Sequence, residues 1–208
     1  MTDRQPNLYR NQRIAVIVPC HNEELTVRPV VEGFREALPE AEVYIFNNLS
    51  TDRTMEVAQE VGAHVRDVRL KGKGNVVRRM FADVDADVYI MVDGDATYHA
   101  PSARKLVDLL LDQQLDMVVG ARVESDPGPG LAYRRGHRLG NKLLTGSVQQ
   151  IFGGSFRDML SGYRVFSRRY VKSFPAHSKG FEIETELNVH ALELRMPSAE
   201  VDTPYGAR

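Results

Sequence analysis

Short apolar runs alternate with amphipathic stretches over the first 120 residues of the chain. The runs at 14–18, 43–46, 63–66, 87–92 and 117–119 predict strands, and the stretches at about 24–37, 52–61, 75–84 and 101–112 predict helices. This alternation is typical of α/β folds, in which helices connect the strands of a parallel sheet. We therefore predict a mostly parallel central sheet flanked by helices.

The pattern changes after residue 120. Segment 125–130 is rich in Gly and Pro and predicts a loop, and a basic and apolar stretch of helical character follows at 131–152. A strand near 163–166, a helix at about 182–195 and an extended piece at 199–203 complete the prediction. Without internal repeats or low-complexity tracts, residues 1–208 are expected to form a single α/β domain.

Composition narrows the function classes. With 42% hydrophobic and 26% charged residues the chain has ordinary globular composition, and its net charge of -1 argues against a general nucleic-acid partner. The single cysteine, Cys20, excludes an intrachain disulfide and suits a reducing compartment. Neither an apolar run of about 18 residues nor an apolar signal-peptide core at 1–13 is present, so we expect a soluble, cytoplasmic protein.

Asp93-Gly94-Asp95 directly follows the most apolar strand of the predicted sheet. In open α/β sheets, ligands bind at the carboxyl ends of the strands. Two carboxylates at such a position can hold a divalent cation, which in turn binds the diphosphate of a nucleotide. The alternative is that the triplet is ordinary turn chemistry.

Polar residues also follow the first two predicted strands. We expect Pro19 to end the first strand and Asn22 to cap the helix after it. The second strand leads into 47–52, where Ser50 and Asp52 are candidate caps. Two adjacent polar strand ends would form half of a nucleotide pocket, although capping alone would also explain several of these residues.

Two basic segments complete the candidate chemistry. Lys71-Gly72-Lys73-Gly74-Asn75 places two cations and two glycines at a helix start, which suits a bound phosphate but also a simple solvated turn. The stretch 131–152 interleaves apolar residues with Arg134, Arg135, Arg138 and Lys142. It is either a surface helix with one face in the core or an arm that meets a lipid phosphate at a membrane.

Taken in order, these loops, the acidic triplet, 158–164 (DMLSGYR) and 180–184 (GFEIE) resemble the family 2 glycosyltransferases of the GT-A fold. Within that family, the later motifs resemble the dolichol-phosphate mannose synthase, or polyprenyl-phosphate glycosyltransferase, group. The resemblance covers about residues 13–205. It implies an inverting, metal-dependent transferase that moves a sugar from a nucleotide-sugar to an acceptor, with a polyprenyl or dolichyl phosphate as the expected acceptor.

The resemblance implies a nucleotide-sugar half at about 13–122. There, Pro19, His21 and Glu23 would line the base and ribose side, and Lys73 would border the nucleotide. Asp93 would lie near the ribose and the water shell of the metal, and Asp95 would coordinate Mg²⁺ or Mn²⁺ on the diphosphate. Asn47 and Asn48 stand where the family commonly has aspartates, so both UDP- and GDP-sugars stay open.

The resemblance also implies an acceptor half at about 123–208. Asp158 would act as a base or orient the acceptor, and Glu184 is the second-ranked base. At the boundary of the two halves, Arg122 lies just past the strand predicted to end at Gly120 and would share in neutralising the leaving diphosphate. Because a phosphate acceptor is already mostly ionised at neutral pH, a strong base is dispensable. Arg134, Arg135 and Arg138 are the expected contacts of the acceptor phosphate.

Related proteins usually continue beyond the last strand, often into membrane helices, so the end at Arg208 suggests truncation at the C-terminus. The expected location is the cytoplasm, peripherally at the membrane face, with the oligomeric state left open. Two rivals stay open: a sugar-phosphate nucleotidyltransferase, which would release pyrophosphate, and a non-catalytic subunit that binds a nucleotide-sugar without turning it over. Against the first, 19–24 is not the glycine-rich, arginine-bearing loop usual in that class.

Overall fold

A seven-stranded sheet organises the protein in a computed structural model that describes residues 7–124 and 156–206. Its strands are β1 (Ile14–Cys20), β2 (Glu42–Asn47), β3 (His64–Asp67), β4 (Val88–Met91), β5 (Met117–Glu124), β6 (Arg164–Ser167) and β7 (Ser198–Tyr205). The helices that pack on the sheet are α1 (Val27–Ala37), α2 (Thr54–Glu60), α3 (Lys73–Asp83), α4 (Ser102–Asp112), α5 (Arg168–Ser173) and α6 (Ile183–Glu193).

The strand order is β3-β2-β1-β4-β6-β5-β7. Strands β3, β2, β1 and β4 are parallel to one another, as are β5 and β7, whereas β6 runs antiparallel to both β4 and β5. The predicted α/β fold with a mostly parallel sheet is therefore confirmed. Because β6 lies between β4 and β5, residues of the predicted acceptor half complete the same sheet as the nucleotide-sugar half.

Both faces of the sheet are buried under helices. Along β1, Val16 and Val18 belong to the core beneath α1, α2 and α4, whereas Ala15 and Ile17 belong to the core beneath α3, α5 and α6. Successive residues of a strand point to opposite faces, so a strand covered on both faces must be apolar at every position. The uninterrupted apolar runs in the sequence thus reflect the three-layer architecture.

Two predicted strand ends are wrong. Strand β1 continues through Pro19, which pairs with Phe46 of β2. Pro19 fits there because β4 ends at Met91, opposite Ile17, so only β2 pairs with the end of β1 and a missing N–H can face away from the ladder. Strand β5 runs past Gly120 to Glu124 because β7 pairs along its full length, which places Arg122 inside the strand.

The predicted helix cap at Asn22 is also wrong. Helix α1 begins after Thr26, and Asn22 adopts a positive φ of 56° outside the helix. Its Oδ1 accepts a hydrogen bond from the Thr51 N–H at 2.8 Å, and its own N–H donates to Ser50 Oγ at 2.9 Å. Asn22 therefore ties together the loops that follow β1 and β2. Asp52 does accept from the Thr54 N–H at the start of α2, at 3.0 Å.

Helices long and apolar enough to cross a membrane are absent from residues 7–124 and 156–206. The predicted loop at 125–130 and the basic stretch at 131–152 lie outside the described residues.

Candidate active site

The acidic triplet lies against the end of β1. A Cβ added to Gly94 would stand 2.6 Å from Cys20 Sγ and 3.6 Å from Glu23 Cγ, so only glycine permits this close packing. Cys20 is buried, and burial raises the pKa of its thiol above the ordinary value. The thiol is therefore a packing group. This contact brings the first polar loop and the triplet together.

Asp95 is fixed by the loop that follows it. Its Oδ1 accepts hydrogen bonds from Thr97 Oγ1 at 2.6 Å and from the Thr97 N–H at 3.2 Å. The side chain is half-buried. Such bonds orient a carboxylate before any ligand arrives, as the outer contacts of a metal ligand do.

Asp93 belongs to a buried cluster of charged side chains. The Lys73 ammonium lies 2.5 Å from Asp93 Oδ1 and 2.6 Å from Glu184 Oε1. The three side chains come from the start of α3, the turn after β4 and the first turn of α6. Burial by itself acts to lower the pKa of Lys73, but the charges of Asp93 and Glu184 outweigh it and raise that pKa above its ordinary value. Lys73 is therefore held as a cation.

Gly162 provides the space that Asp93 occupies. A Cβ at Gly162 would lie 2.3 Å from Asp93 Oδ2, and the Gly162 N–H donates to Tyr98 Oη at 2.7 Å. Sequence reasoning included this glycine in a motif without giving it a role. Its role depends on a contact across 69 positions of the chain, which the spacing within the motif does not reveal.

Asn47 and Asn48 are both buried and engaged within the chain. Asn47 Nδ2 donates to Asp67 Oδ1 at 3.0 Å, and its Oδ1 accepts from the Ser50 N–H at 3.2 Å. The Asn48 amide donates to the carbonyls of Val68 and Leu70 at 2.9 and 2.8 Å and accepts from the Gly72 N–H at 2.8 Å. Asn48 thus shapes the loop between β3 and α3, whereas Asn47 ties the end of β3 to the loop after β2. Contact of either amide with a base stays a prediction.

The other residues predicted on the nucleotide side line the end of β1. His21 is exposed, and its Nδ1 lies 2.8 Å from the Asn48 carbonyl oxygen. Glu23 accepts from Thr26 Oγ1 at 2.9 Å, while its N–H donates to Thr54 Oγ1 at 2.8 Å. Pro19 is the second-last residue of β1. All three residues lie at the same sheet edge as Asp93 and Asp95.

Asp158 forms a two-point ion pair with Arg122. Arg122 Nε and Nη2 each lie 2.7 Å from one of the carboxylate oxygens, and the Arg122 N–H adds a third hydrogen bond at 3.1 Å. Burial acts to raise the pKa of Asp158, but the hydrogen bonds and charge of Arg122 outweigh it and hold that pKa below its ordinary value. The guanidinium also lies over the ring of Tyr205, 5.5 Å from its centre. This geometry favours orientation over proton transfer by Asp158.

Arg164 closes the motif at 158–164, and sequence reasoning assigned this arginine no role of its own. Its side chain is fully buried and donates to the carbonyls of Ser161 and Met159 at 2.9 and 2.8 Å and to Asn188 Oδ1 at 2.9 Å. It therefore joins the loop before β6 to helix α6. A buried arginine satisfied by carbonyls fixes the loop that carries Asp158 and Gly162.

The donor set fits a hard divalent cation. Asp93 and Asp95 offer carboxylate oxygens, the ligand type that Mg²⁺ and Mn²⁺ prefer. Clusters of three or more His, Cys, Asp or Glu side chains able to hold a metal are not found among residues 7–124 and 156–206. Two carboxylates with the remaining positions left to water and phosphate suit a cation that binds together with a nucleotide. Arg134, Arg135 and Arg138 fall outside the described residues.

Comparison with known proteins identifies the family of the chain. The model of the family described as "Glycosyl transferase family 2" matches residues 15–174. Protein RfbJ of Shigella flexneri is 53% identical over 131 residues, which are 63% of this chain and 100% of that protein. Glycosyltransferase AglJ of Haloferax volcanii is 37% identical over 196 residues, which are 94% of this chain and 63% of AglJ.

A more distant relative is the dolichol-phosphate mannosyltransferase of Pyrococcus furiosus, 23% identical over 94% of this chain and 57% of its own length. The chain therefore spans less than two thirds of AglJ and of this enzyme. Among solved structures, glucosyl-3-phosphoglycerate synthase of Mycobacterium tuberculosis superposes with a TM-score of 0.77 at 24% identity, covering 96% of this chain and 73% of that one. That likeness confirms the predicted GT-A fold.

The fold, the acidic sheet edge and these relatives define a glycosyltransferase domain, an enzyme class that uses nucleotide-sugar donors. The chain belongs to glycosyl transferase family 2. The resemblance inferred from the sequence is thereby confirmed, and the nucleotidyltransferase alternative is set aside.

Proposed function

We propose that this domain transfers a sugar, with inversion, from a UDP- or GDP-sugar to a polyprenyl-type phosphate at a membrane surface. The observation that carries the proposal is a cluster of charges next to Asp95 in the chain. In it, Lys73 Nζ lies 2.5 Å from Asp93 Oδ1 and 2.6 Å from Glu184 Oε1. This contact supports a single site in which the proposed nucleotide side and the proposed acceptor side of the sheet edge meet. The names of two relatives, a dolichol-phosphate mannosyltransferase and a dolichyl-phosphate hexose transferase, support the acceptor class.

On the nucleotide side, Asp93 and Asp95 would hold Mg²⁺ or Mn²⁺. When bound, the cation supplies positive charge that stabilises the leaving nucleoside diphosphate. A structural neighbour is described in complex with Mn²⁺ and UDP, which agrees with this assignment at the level of the fold. Arg122, held as a cation by Asp158, would add fixed positive charge on the acceptor side of the same edge.

On the acceptor side, the proposed acceptor reduces the need for a strong base. A phosphate monoester is largely ionised at neutral pH, so the nucleophilic oxygen needs little help from a base. Asp158 then orients Arg122. The ion pair between Lys73 and Glu184 holds the starts of α3 and α6 together beside Asp93. Contact of the acceptor phosphate with Arg134, Arg135 and Arg138 remains part of the proposal.

A surface beside the site supports a membrane-borne acceptor. Leu70 and Phe181 are 66% and 77% exposed, and the exposed cations Arg69, Lys71 and Lys179 lie within two residues of them in sequence. We call these five residues the Leu70–Phe181 surface. The exposed carboxylate of Glu182 nearby accepts hydrogen bonds from the N–H groups of Lys179 and Gly180, at 3.2 and 2.9 Å.

The two loops that form this surface are docked on each other, because the Gly74 N–H donates to the carbonyls of Lys179 and Gly180 at 3.1 Å each. Apolar side chains among cations match the boundary between acyl chains and anionic headgroups. We propose that this surface brings the site to the cytoplasmic face of a membrane.

Two measurements test the proposed function. Thermal unfolding with UDP, GDP and their sugars, with and without Mn²⁺, identifies the nucleotide, because a ligand stabilises the state that binds it. Incubation of that donor with a polyprenyl phosphate should then yield a glycosylated lipid and a free nucleoside diphosphate. Asp95→Ala should unfold at a similar temperature but lose turnover by about 100-fold or more, as for loss of a main transition-state contact.

Full turnover in excess chelator, or by the Asp95→Ala variant, contradicts the metal role. Binding of a nucleotide-sugar without any product after long incubation with several lipid phosphates favours the non-catalytic alternative instead. Release of a product with unchanged anomeric configuration, read by NMR, contradicts inversion.

A further inference from the structure

The Lys73 ammonium contacts Asp93 Oδ1, an oxygen that the proposed divalent cation would need as a ligand. It contacts Asp93 Oδ1 at 2.5 Å and Glu184 Oε1 at 2.6 Å, and its side chain is 8% exposed. Asp93 and Glu184 are 28% and 11% exposed, so water screens these charges little. A divalent cation bound to Asp93 Oδ1 would therefore stand next to an ammonium group in a poorly solvated site.

The position of Lys73 is set by its backbone. Gly72 and Gly74 lie so close to the segment before α6 that a Cβ on either would come within 2.2 Å of a carbonyl oxygen, that of Lys179 or Ser178. The Gly74 N–H also donates to the Lys179 and Gly180 carbonyls at 3.1 Å. With both flanking residues anchored, Lys73 can move its ammonium by rotating its side chain but cannot withdraw from the site.

The charges around Lys73 predict how it affects the binding of a divalent cation. Asp93 and Glu184 contribute two carboxylates that contact the single Lys73 cation. Without Lys73, these two negative charges would lie close together uncompensated and would attract a divalent cation. With Lys73 in place, the cation must displace an ammonium that already satisfies Asp93, unless an incoming diphosphate offers that ammonium another partner.

We propose that Lys73 acts as an internal counterion that holds Asp93 in the ligand-free enzyme, so that the divalent cation binds strongly only together with the nucleotide diphosphate. Lys73 is in this sense a positioning residue. On donor binding its ammonium turns from Asp93 towards the phosphates while keeping Glu184, which links occupancy of the nucleotide side to the acceptor side. The inference rests on the proposed nucleotide-sugar site but not on the identity of the acceptor.

Binding of Mn²⁺ alone tests this inference, with the signal of free Mn²⁺ followed by electron paramagnetic resonance. The wild-type protein should bind Mn²⁺ at least tenfold more tightly when UDP or GDP is present. Lys73→Met should bind Mn²⁺ without nucleotide at least tenfold more tightly than the wild type does. Lys73→Arg, which keeps the charge, should retain the nucleotide requirement.

Lys105→Met is the control, because Lys105 is exposed and belongs to α4, outside the two segments that hold Lys73. It should behave like the wild type. If Lys73→Met fails to fold, Lys73→Gln provides the same loss of charge with a polar side chain. Circular dichroism and the unfolding temperature show that each variant compared is folded.

Unchanged or weaker binding of Mn²⁺ by folded Lys73→Met or Lys73→Gln overturns the inference, as does Mn²⁺ binding by the wild type that is equally tight with and without nucleotide. Either result leaves the proposed transfer reaction standing if product still forms. Conversely, failure to glycosylate any lipid phosphate, with the predicted Mn²⁺ behaviour intact, overturns the acceptor assignment and not the role of Lys73.

Discussion

Tyr163 and Tyr170 are both fully buried, but their hydroxyl groups differ in hydrogen bonding. The Tyr170 hydroxyl donates to the Leu187 carbonyl at 2.6 Å, whereas the Tyr163 hydroxyl is buried without a hydrogen-bond partner in the part of the chain that the structure describes. A buried hydroxyl that lacks a partner has lost its hydration without compensation. Removing each hydroxyl therefore tests how much one buried hydrogen bond contributes to the free energy of unfolding.

Tyr163→Phe should raise the free energy of unfolding by about 1 kcal/mol, because it removes an unsatisfied buried polar group. Tyr170→Phe should lower it by about 1 kcal/mol, because it leaves the Leu187 carbonyl without its partner. Urea denaturation followed by circular dichroism measures both. Equal losses in the two variants would contradict this difference between the sites.

Gly162→Ala should damage the site more than the fold. The added Cβ would stand 2.3 Å from Asp93 Oδ2, so the carboxylate must move away from the position that the proposed metal requires. We expect at least a tenfold loss of turnover, with the free energy of unfolding lowered by about 1–3 kcal/mol, the usual range for an overpacked contact. Nucleotide titration and urea denaturation separate the two effects. Wild-type turnover by this variant would show that Asp93 tolerates displacement.

At the scale of the elements, the helix α3 start and the segment before α6 depend on each other. Gly74→Ala would place a Cβ 2.2 Å from the Ser178 carbonyl oxygen and should separate them. We expect a loss of about 1–3 kcal/mol in the free energy of unfolding, as for other overpacked contacts. Faster amide hydrogen exchange at 72–75 and 178–182 should accompany it.

Gly206→Ala is the control for this prediction. Its added Cβ would meet the Thr97 carbonyl oxygen at 3.7 Å, an ordinary van der Waals distance, so little loss of stability is expected. If Gly74→Ala is as stable as this control, the contact between the two loops is not rigid.

The sequence predicted the existence and order of the elements better than their ends. Apolar runs identify buried strands because a strand covered on both faces is apolar at every position. The end of β5 depends instead on β7, which pairs with it as far as Glu124 and lies about 80 residues further along the chain. Likewise Asn22 has the residue type of a cap, but its partners Ser50 and Thr51 belong to another loop.

For the whole molecule, the Leu70–Phe181 surface predicts binding to anionic membranes. The double variant Leu70→Ser/Phe181→Ser should reduce binding to mixed phosphatidylcholine and phosphatidylglycerol vesicles by about tenfold or more, since each buried large apolar side chain contributes about 1.5–3 kcal/mol. Raising the salt concentration should weaken the wild-type binding, because salt screens the three cations. Sedimentation with vesicles measures both effects.

Leu8→Ser/Leu194→Ser serves as the control for this surface, because both residues are exposed, 48% and 53%, but belong to other segments. It should bind vesicles as the wild type does. Equal loss in the two double variants would show that the binding is not directed by the Leu70–Phe181 surface. Retained turnover of the first variant with a short-chain, water-soluble acceptor phosphate would show that its catalytic site is intact.

The sequence by itself determined the α/β class, the order of the elements and the sheet edge that carries the site, because these follow from local apolar patterns and from polar residues at strand ends. It also placed Asp93, Asp95, Asp158 and Glu184 among the candidates. The tertiary structure decided which of them meet. Lys73 bridges Asp93 and Glu184, Arg122 pairs with Asp158, and Gly162 makes room for Asp93, since charges and side chains distant in the chain interact only where folding brings them within a few ångströms.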